Sequence, residues 1–252
     1  MAYQGSAKYY DLFATDKGQE QNFYREIAKE TGSPVLELGV GTGLFAFLLA
    51  EDGIEVVGID SSSAMLKEAM RKQRHAPQAI ASRLTFIKAD MSNFQLDQMF
   101  HLIYVPSGSF QYLTTPEEQK RCLQCVQSHL YPQGLFVFDV YLGETEATGA
   151  WRRLETKPLP KGGTVTRSIS TQTLKDQRAI NTALRFDVTD SRGRVQETII
   201  DWSYLALLTK EELEQHLKVA ELDVTSLYAT FTRKPWAPGA TKAIFVTAKP
   251  GK

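Results

Sequence analysis

Gly39, Gly41 and Gly43 stand at alternate positions between the apolar residues 34–38 and the apolar stretch 44–50. Glycines at this spacing let the backbone turn sharply and lie against a ligand, while the free N–H groups of the following helix point at it. The chemistry this suits is the holding of a nucleotide cofactor. A dinucleotide fingerprint reads G-x-G-x-x-G/A, and the position of its last glycine holds Leu44 here.

Glu37, two residues before the first glycine, disfavours a pyrophosphate, because carboxylate and phosphate repel in a cleft of low dielectric. It suits a cationic group instead. The cofactor that combines an amino-acid head, a sulfonium and an adenosine is S-adenosylmethionine (SAM), whose ammonium Glu37 can meet directly or through water. From these residues onward the chain resembles the class I SAM-dependent methyltransferases, by motif order over roughly the first 140 residues and by strand and helix pattern in the tail.

Asp60 ends the next apolar run, about 20 positions beyond Gly39, where a carboxylate accepts hydrogen bonds from ribose hydroxyls. The competing role for Asp60 is to cap the helix that Ser61 to Ser63 open. Asp90 follows a third run, with Ala89 before it and Met91 after it. The resemblance assigns Asp90 to the adenine amino group and Met65 or Met91 to the faces of the ring, against core filling as the plain role for both methionines. The rim after the fourth run carries Ser107, Phe110 and Tyr112, whose hydroxyls and aromatic faces favour a sulfonium cation. In the family an N-terminal segment often closes over the cofactor, and here that segment offers Tyr9 and Tyr10 for the methionine carboxylate or the substrate. Tyr9, Ser107 and Tyr112 are thus the catalytic candidates, and Glu37, Gly39, Gly41, Gly43, Asp60, Met65, Asp90, Met91 and Tyr10 the cofactor-binding ones. The family pattern places an acid at the second position of its fourth strand; this chain has His101, expected as a partly buried structural residue away from the rim. Trp151, Arg152, Arg153, Arg167, Arg185, Trp202 and Tyr204 are further candidates to line a substrate pocket.

These residues need a frame. From residue 34 onward strand and helix patterns alternate, which demands a parallel sheet with helices on both faces. Strands are expected at residues 34–38, 54–60, 84–88, 100–105 and 135–140, with a helix over 116–130 and turn residues at 131–134. In such sheets ligands sit at the carboxyl ends of the strands, so residues distant in sequence meet on one rim. From Trp151 the pattern becomes polar and alternating, and three strands are expected at 164–173, 179–190 and 195–205, joined by hairpin turns. A capping box at residues 209–212 opens a helix to 219, and 222–231 and 241–248 are the final strand candidates. The expected fold is α/β, a Rossmann-like seven-stranded methyltransferase sheet with a small inserted antiparallel β-sheet. Its parts are an N-terminal helical cap (1–33), a SAM-binding core (34–150 and 206–252) and an inserted sheet forming a substrate lid (151–205). The class I family ends on one helix and two strands, the last antiparallel to its neighbours, in keeping with this tail.

Composition narrows the partners. At 252 residues and 42% hydrophobic the chain buries a full core. Lys plus Arg and Asp plus Glu each total 29, so charge offers no drive toward nucleic acid or an anionic membrane, and a small-molecule partner is expected. No run approaches a membrane span and residues 1–6 lack the blocks of a signal peptide, which reads as a cytoplasmic protein. Cys122 and Cys125 share one helix face without a second cysteine or histidine pair, the pattern of core packing rather than of metal. The expected reaction is in-line displacement of the SAM methyl by a small-molecule acceptor, with no metal. A nitrogen acceptor is preferred, because an amine need only arrive neutral whereas a phenol or alcohol needs a base or metal, and neither a His-acid pair nor a ligand cluster stands at the rim. O-methylation of a phenol or carboxylate, a NAD-dependent oxidoreductase and a non-catalytic SAM-binding protein remain the alternative readings.

Overall fold

The runs around Leu36, Val57 and Ile103 are apolar on both faces, a pattern stable only when helices cover both sides of a sheet. The computed structural model describes residues 3–14, 18–143 and 149–250. The start of the N-terminal segment read for a signal peptide (residues 1 and 2) and a few residues at the 150/151 boundary (144–148) lie outside the described residues. In chain order the helices and strands of the first part are α1 (Ala7–Phe13), α2 (Gly18–Thr31), β1 (Val35–Leu38), α3 (Leu44–Glu51), β2 (Val56–Asp60), α4 (Ser63–His75), α5 (Gln78–Ala81), β3 (Leu84–Lys88), β4 (Phe100–Val105), α6 (Pro116–His129) and β5 (Leu130–Tyr141). Then come β6 (Arg152–Pro158), β7 (Thr164–Leu174), β8 (Ala179–Thr189), β9 (Val195–Ala206), α7 (Lys210–Val219), β10 (Asp223–Tyr228) and β11 (Lys242–Ala248).

Seven strands form one sheet in the order β10-β11-β5-β4-β1-β2-β3. Strands β1 to β5 run parallel, and β11 inserts antiparallel between β5 and β10. The chain winds outward from β1 to β3 and then returns to β4, so the strand order reverses between β1 and β4. At that point the loops leave the sheet in opposite directions and open a crevice beyond the strand ends. The sheet is buried on both sides. One face packs Leu36, Ile103, Phe136 and Phe138 against α6 and α7, and the other packs Val35, Leu102 and Tyr104 against α2 and α3. Cys122 lies fully buried in the first of these layers, where burial pushes its thiol pKa up. Side-chain caps define three helix starts: Ser62 accepts from the Met65 amide at 3.3 Å, and Thr115–Glu118 and Thr209–Glu212 form reciprocal boxes, each worth about 1 kcal/mol. Among the described residues no helix is long and apolar enough to cross a membrane.

The inserted sheet has four strands, β6-β7-β8-β9, rather than three. The missed one, β6, alternates charged residues and shows no apolar face; it is held as an edge by backbone pairing with β7. Strand β5 also starts earlier than expected, because the turn residues 131–134 are drawn into pairing: the Gln133 amide donates to the Lys249 carbonyl and the Lys249 amide to that of Gly134, both at 3.0 Å. The two N-terminal helices do different work. Phe23 and Tyr24 of α2 are buried in the main core, whereas Phe13 of α1 packs edge-on against Phe186 of the inserted sheet at 5.8 Å.

Candidate functional site

A cavity of about 510 Å³ opens at the crevice beyond the carboxyl ends of β1, β2 and β4. Its floor is the loop after β1. Gly41 has φ +56°, and its amide donates to Asp60 Oδ2 at 2.7 Å, so the end of β2 pins the loop in a left-handed turn. A Cβ on Gly41 would stand 3.1 Å from Met65 Cε, and one on Gly39 3.3 Å from Ser109 Cβ, so side chains there would fill the cradle. Leu44 and Phe45, the first residues of α3, continue the floor.

Three carboxylates reach this cavity from three strand ends. Glu37 is almost fully buried and accepts from the Tyr104 hydroxyl at 2.8 Å. Asp60 accepts from Gly41 with one oxygen and from the Ser62 amide at 2.7 Å with the other, so it lines the cavity and serves the start of α4 together. Burial raises its pKa, and the two amide bonds oppose that shift. Asp90 turns one oxygen to the Ser92 amide at 2.8 Å. Met65 and Met91 also line the cavity, on α4 and beside Asp90. This set suits a ligand with a cationic head, a hydroxylated middle and a flat ring bearing an amino group.

The roof comes from three other elements. Tyr3 and Tyr10 descend from the N-terminal segment with rings edge-to-face at 5.1 Å, Tyr112 follows β4, and Trp202, Ser203 and Tyr204 lie on β9. The Tyr3 hydroxyl bonds Tyr112, which also bonds Ser203. Burial pushes the phenol pKa values of Tyr3, Tyr10 and Tyr112 up, so these are neutral hydroxyls at any physiological pH. The roof is tied down at two places. Asp201 of β9 accepts from the amides of Gly5 and Ser6 at 3.1 and 2.9 Å, and Asp11 of α1 accepts from Thr42 Oγ1 at 2.6 Å and from Lys72 Nζ at 2.7 Å.

The structure therefore gathers Glu37, Gly39, Gly41, Asp60, Met65, Asp90, Met91, Tyr10, Ser107 and Tyr112 around one cavity. Two candidates fall elsewhere. Tyr9 points away and reaches Glu197 at 3.3 Å, because on a helix its neighbour Tyr10 takes the inward face. Gly43 sits behind the floor as the left-handed residue before α3, where a Cβ would stand 3.1 Å from Phe47 and 3.2 Å from Phe86. Phe110, expected at the rim, is fully buried beneath it against Phe138 at 4.9 Å. His101 lies exposed at the opposite end of β4, stacked on Tyr131 at 4.6 Å, not partly buried. Of the residues proposed in the inserted sheet, Trp202 and Tyr204 reach the cavity; Arg167 pairs with Glu155 and Arg185 with Asp187. Sequence reasoning passed over Glu20 and Asp139. Glu20 accepts from Ser107 Oγ at 2.8 Å, and fully buried Asp139 accepts from the Tyr24 hydroxyl at 2.8 Å and the Gly108 amide at 3.1 Å. An acid inside the apolar run Phe136, Val137, Phe138, Asp139, Val140 was the available signal. Burial, and then Glu20, push the Asp139 carboxyl up to about 6.

Comparison with known proteins agrees with this architecture. Residues 35–134 match the family described as "Methyltransferase domain". The putative methyltransferase YqeM of Bacillus subtilis (strain 168) is 31% identical over 143 residues, 56% of this chain and 56% of that protein. The chain thus spans a little over half the length of that relative. The cypemycin N-terminal methyltransferase of Streptomyces sp is 25% identical over 216 residues, covering 85% of this chain and 82% of its own. The sugar N-methyltransferase KedS8 from Streptoalloteichus sp ATCC 53650 has the same fold, with a TM-score of 0.77 at 21% identity over 99% of this chain and 94% of that one.

Proposed function

We propose that the chain is a class I SAM-dependent methyltransferase that methylates a small-molecule amine, a reading supported by its fold and by the methyltransferase domain matched over residues 35–134. Bound SAM supplies a methyl group already activated by its sulfonium charge, so the protein has to hold and orient rather than to generate a nucleophile. Glu37 neutralises the ammonium of the amino-acid head, Asp60 accepts from the ribose hydroxyls, Asp90 accepts from the adenine amino group, and Met65 and Met91 bound its ring. Tyr10 and Tyr3 close the cavity against water, held by Asp201 through the chain around Ser6.

The observation that carries the amine reading is the charge of the lining. Among the described residues around the cavity every charged one is an acid: Glu37, Asp60, Asp90 and Glu118. Glu37, Asp60 and Asp90 are taken by the cofactor, so the acceptor meets Glu118 and neutral hydroxyls: an anionic acceptor finds no cationic side chain there, whereas a protonated amine is drawn in and releases its proton to solvent before attack. The roof's neutral hydroxyls offer hydrogen bonds to such a nitrogen and no base for a phenol. Two of the similar proteins are named for N-methylation, which points the same way. Transfer of labelled methyl from SAM to parallel panels of primary and secondary amines, phenols and carboxylates tests the reading. Label entering amines is expected; label confined to phenols or carboxylates, or entering nothing, would refute it.

A further inference from the structure

Strand β9 is an edge of the inserted sheet and carries Ile200, Trp202 and Tyr204 at alternate positions, so all three project from one face. The residues between them do the structural work of the strand: Asp201 accepts from the Gly5 and Ser6 amides, and Ser203 bonds Tyr112. Trp202 is 54% and Tyr204 50% exposed although both line the cavity, so the pair stands at its mouth. Across β8 the register sets Ala183 beside Trp202 and Asn181 beside Tyr204, and neither a methyl group nor an amide covers a ring face. Two large aromatic surfaces thus meet water at the entrance, the arrangement of a surface that takes a ligand. The exposed strip runs on to Ile200, which does not line the cavity; the part continuous with the cavity is the aromatic pair.

We propose that Trp202 and Tyr204 are specificity-determining residues that form a platform for a ring of the methyl acceptor, so that the substrate is a ring-bearing amine whose nitrogen enters the cavity while its ring lies at the mouth. This rests on the methyltransferase reading and deepens it, because it assigns the part of the acceptor that does not react. The cofactor takes the floor, and the mouth is left for the acceptor. Alternate side chains on a strand stand ~7 Å apart, so a ring seated on one reaches the other. Glu118 lines the same cavity and attracts the ammonium end. Covering one aromatic face with a ligand ring corresponds to about tenfold in affinity.

Four probes test this by NMR titration of the full chain saturated with S-adenosylhomocysteine: benzylammonium, cyclohexylmethylammonium, ethylammonium and benzyl alcohol. At least one of the two ring-bearing cations is expected to bind about tenfold or more tightly than ethylammonium, and the tighter of the two tells an aromatic from a saturated ring. Trp202→Ala should shrink that ratio to within about threefold, Tyr204→Ala should reduce it in part, and Trp202→Phe, which keeps a ring, should retain most of it. A thermal melt verifies the fold of each variant. No ring preference in the unaltered protein, or a preference that Trp202→Ala leaves intact, overturns the proposal. A dimer that Trp202→Ala dissociates, without any ring preference, assigns the strip to a second copy of the chain and overturns it too. Benzyl alcohol binding as tightly as benzylammonium refutes the amine reading and leaves the platform standing. Failure of S-adenosylhomocysteine itself to bind overturns the cofactor reading and this proposal with it.

Discussion

Replacing Asp60 by alanine separates the cofactor reading from a merely structural role for this carboxylate. Two backbone amides, Gly41 and Ser62, donate to it at 2.7 Å each, and the same carboxylate lines the cavity. Each oxygen keeps a second lone pair for a ligand hydroxyl. The stability cost of the substitution is modest: a stranded amide costs about 1–3 kcal/mol, but both lie beside an open cavity where water replaces the carboxylate, and removing a partly buried charge offsets part of the loss. The binding cost is larger. A hydrogen bond from a ligand hydroxyl to a carboxylate is worth about 1.5–3 kcal/mol, which corresponds to roughly a 10- to 150-fold rise in Kd. Trp202 lines the cavity and provides the assay, a fluorescence titration with SAM, with a thermal melt alongside to verify the fold. Asp60→Asn, which retains one acceptor oxygen, should fall between the two. SAM affinity within about twofold of the unaltered protein, on a fold that melts normally, would refute the assignment of Asp60 to the ribose.

Asp139 sets a pH dependence of stability. Its folded pKa is about 6, above the ordinary aspartate value of 3.8, so between those values the native state binds more protons than the unfolded state and stability falls as pH rises. The loss across that window is about 3 kcal/mol, and Asp139→Asn should remove it; urea melts from pH 4 to 8 giving parallel slopes for both proteins would contradict this. Gly58 of β2 tests the packing under the cofactor loop. An added Cβ would lie 2.6 Å from Val40 Cγ2, so Gly58→Ala should destabilise by about 1–3 kcal/mol through overpacking, with partial rescue by Val40→Ala in a denaturation series.

Much of the frame was legible in the residues themselves. Apolar runs buried on both faces, each ending in an acid or a glycine turn, located β1 to β4 and their helices within a few residues, because periodicity and capping are local properties. The same logic predicted that Gly39 to Gly43, Asp60, Asp90, Ser107 and Tyr141 share one rim, since parallel strands bring their carboxyl ends together wherever they lie in the chain; all of these but Gly43 and Tyr141 line the cavity. Local rules failed where pairing is decided at long range. Strand β6 has no apolar face and exists because β7 offers it backbone partners, and residues 131–134 read as a turn until Lys249 pairs with them.

The amino-acid sequence by itself determined the chemistry of the cavity floor, because a glycine loop and the acids behind it are adjacent in the chain or one strand apart. Only the tertiary structure decided which face of the cap looks inward, turning Tyr10 to the cavity and Tyr9 to Glu197. It alone joined Tyr3, Tyr112 and Ser203 into one roof and set Glu20 behind Ser107, 87 positions away. Such meetings are fixed by the docking of α1, α2 and the inserted sheet onto the core, a balance of packed surfaces that no local stretch of residues encodes.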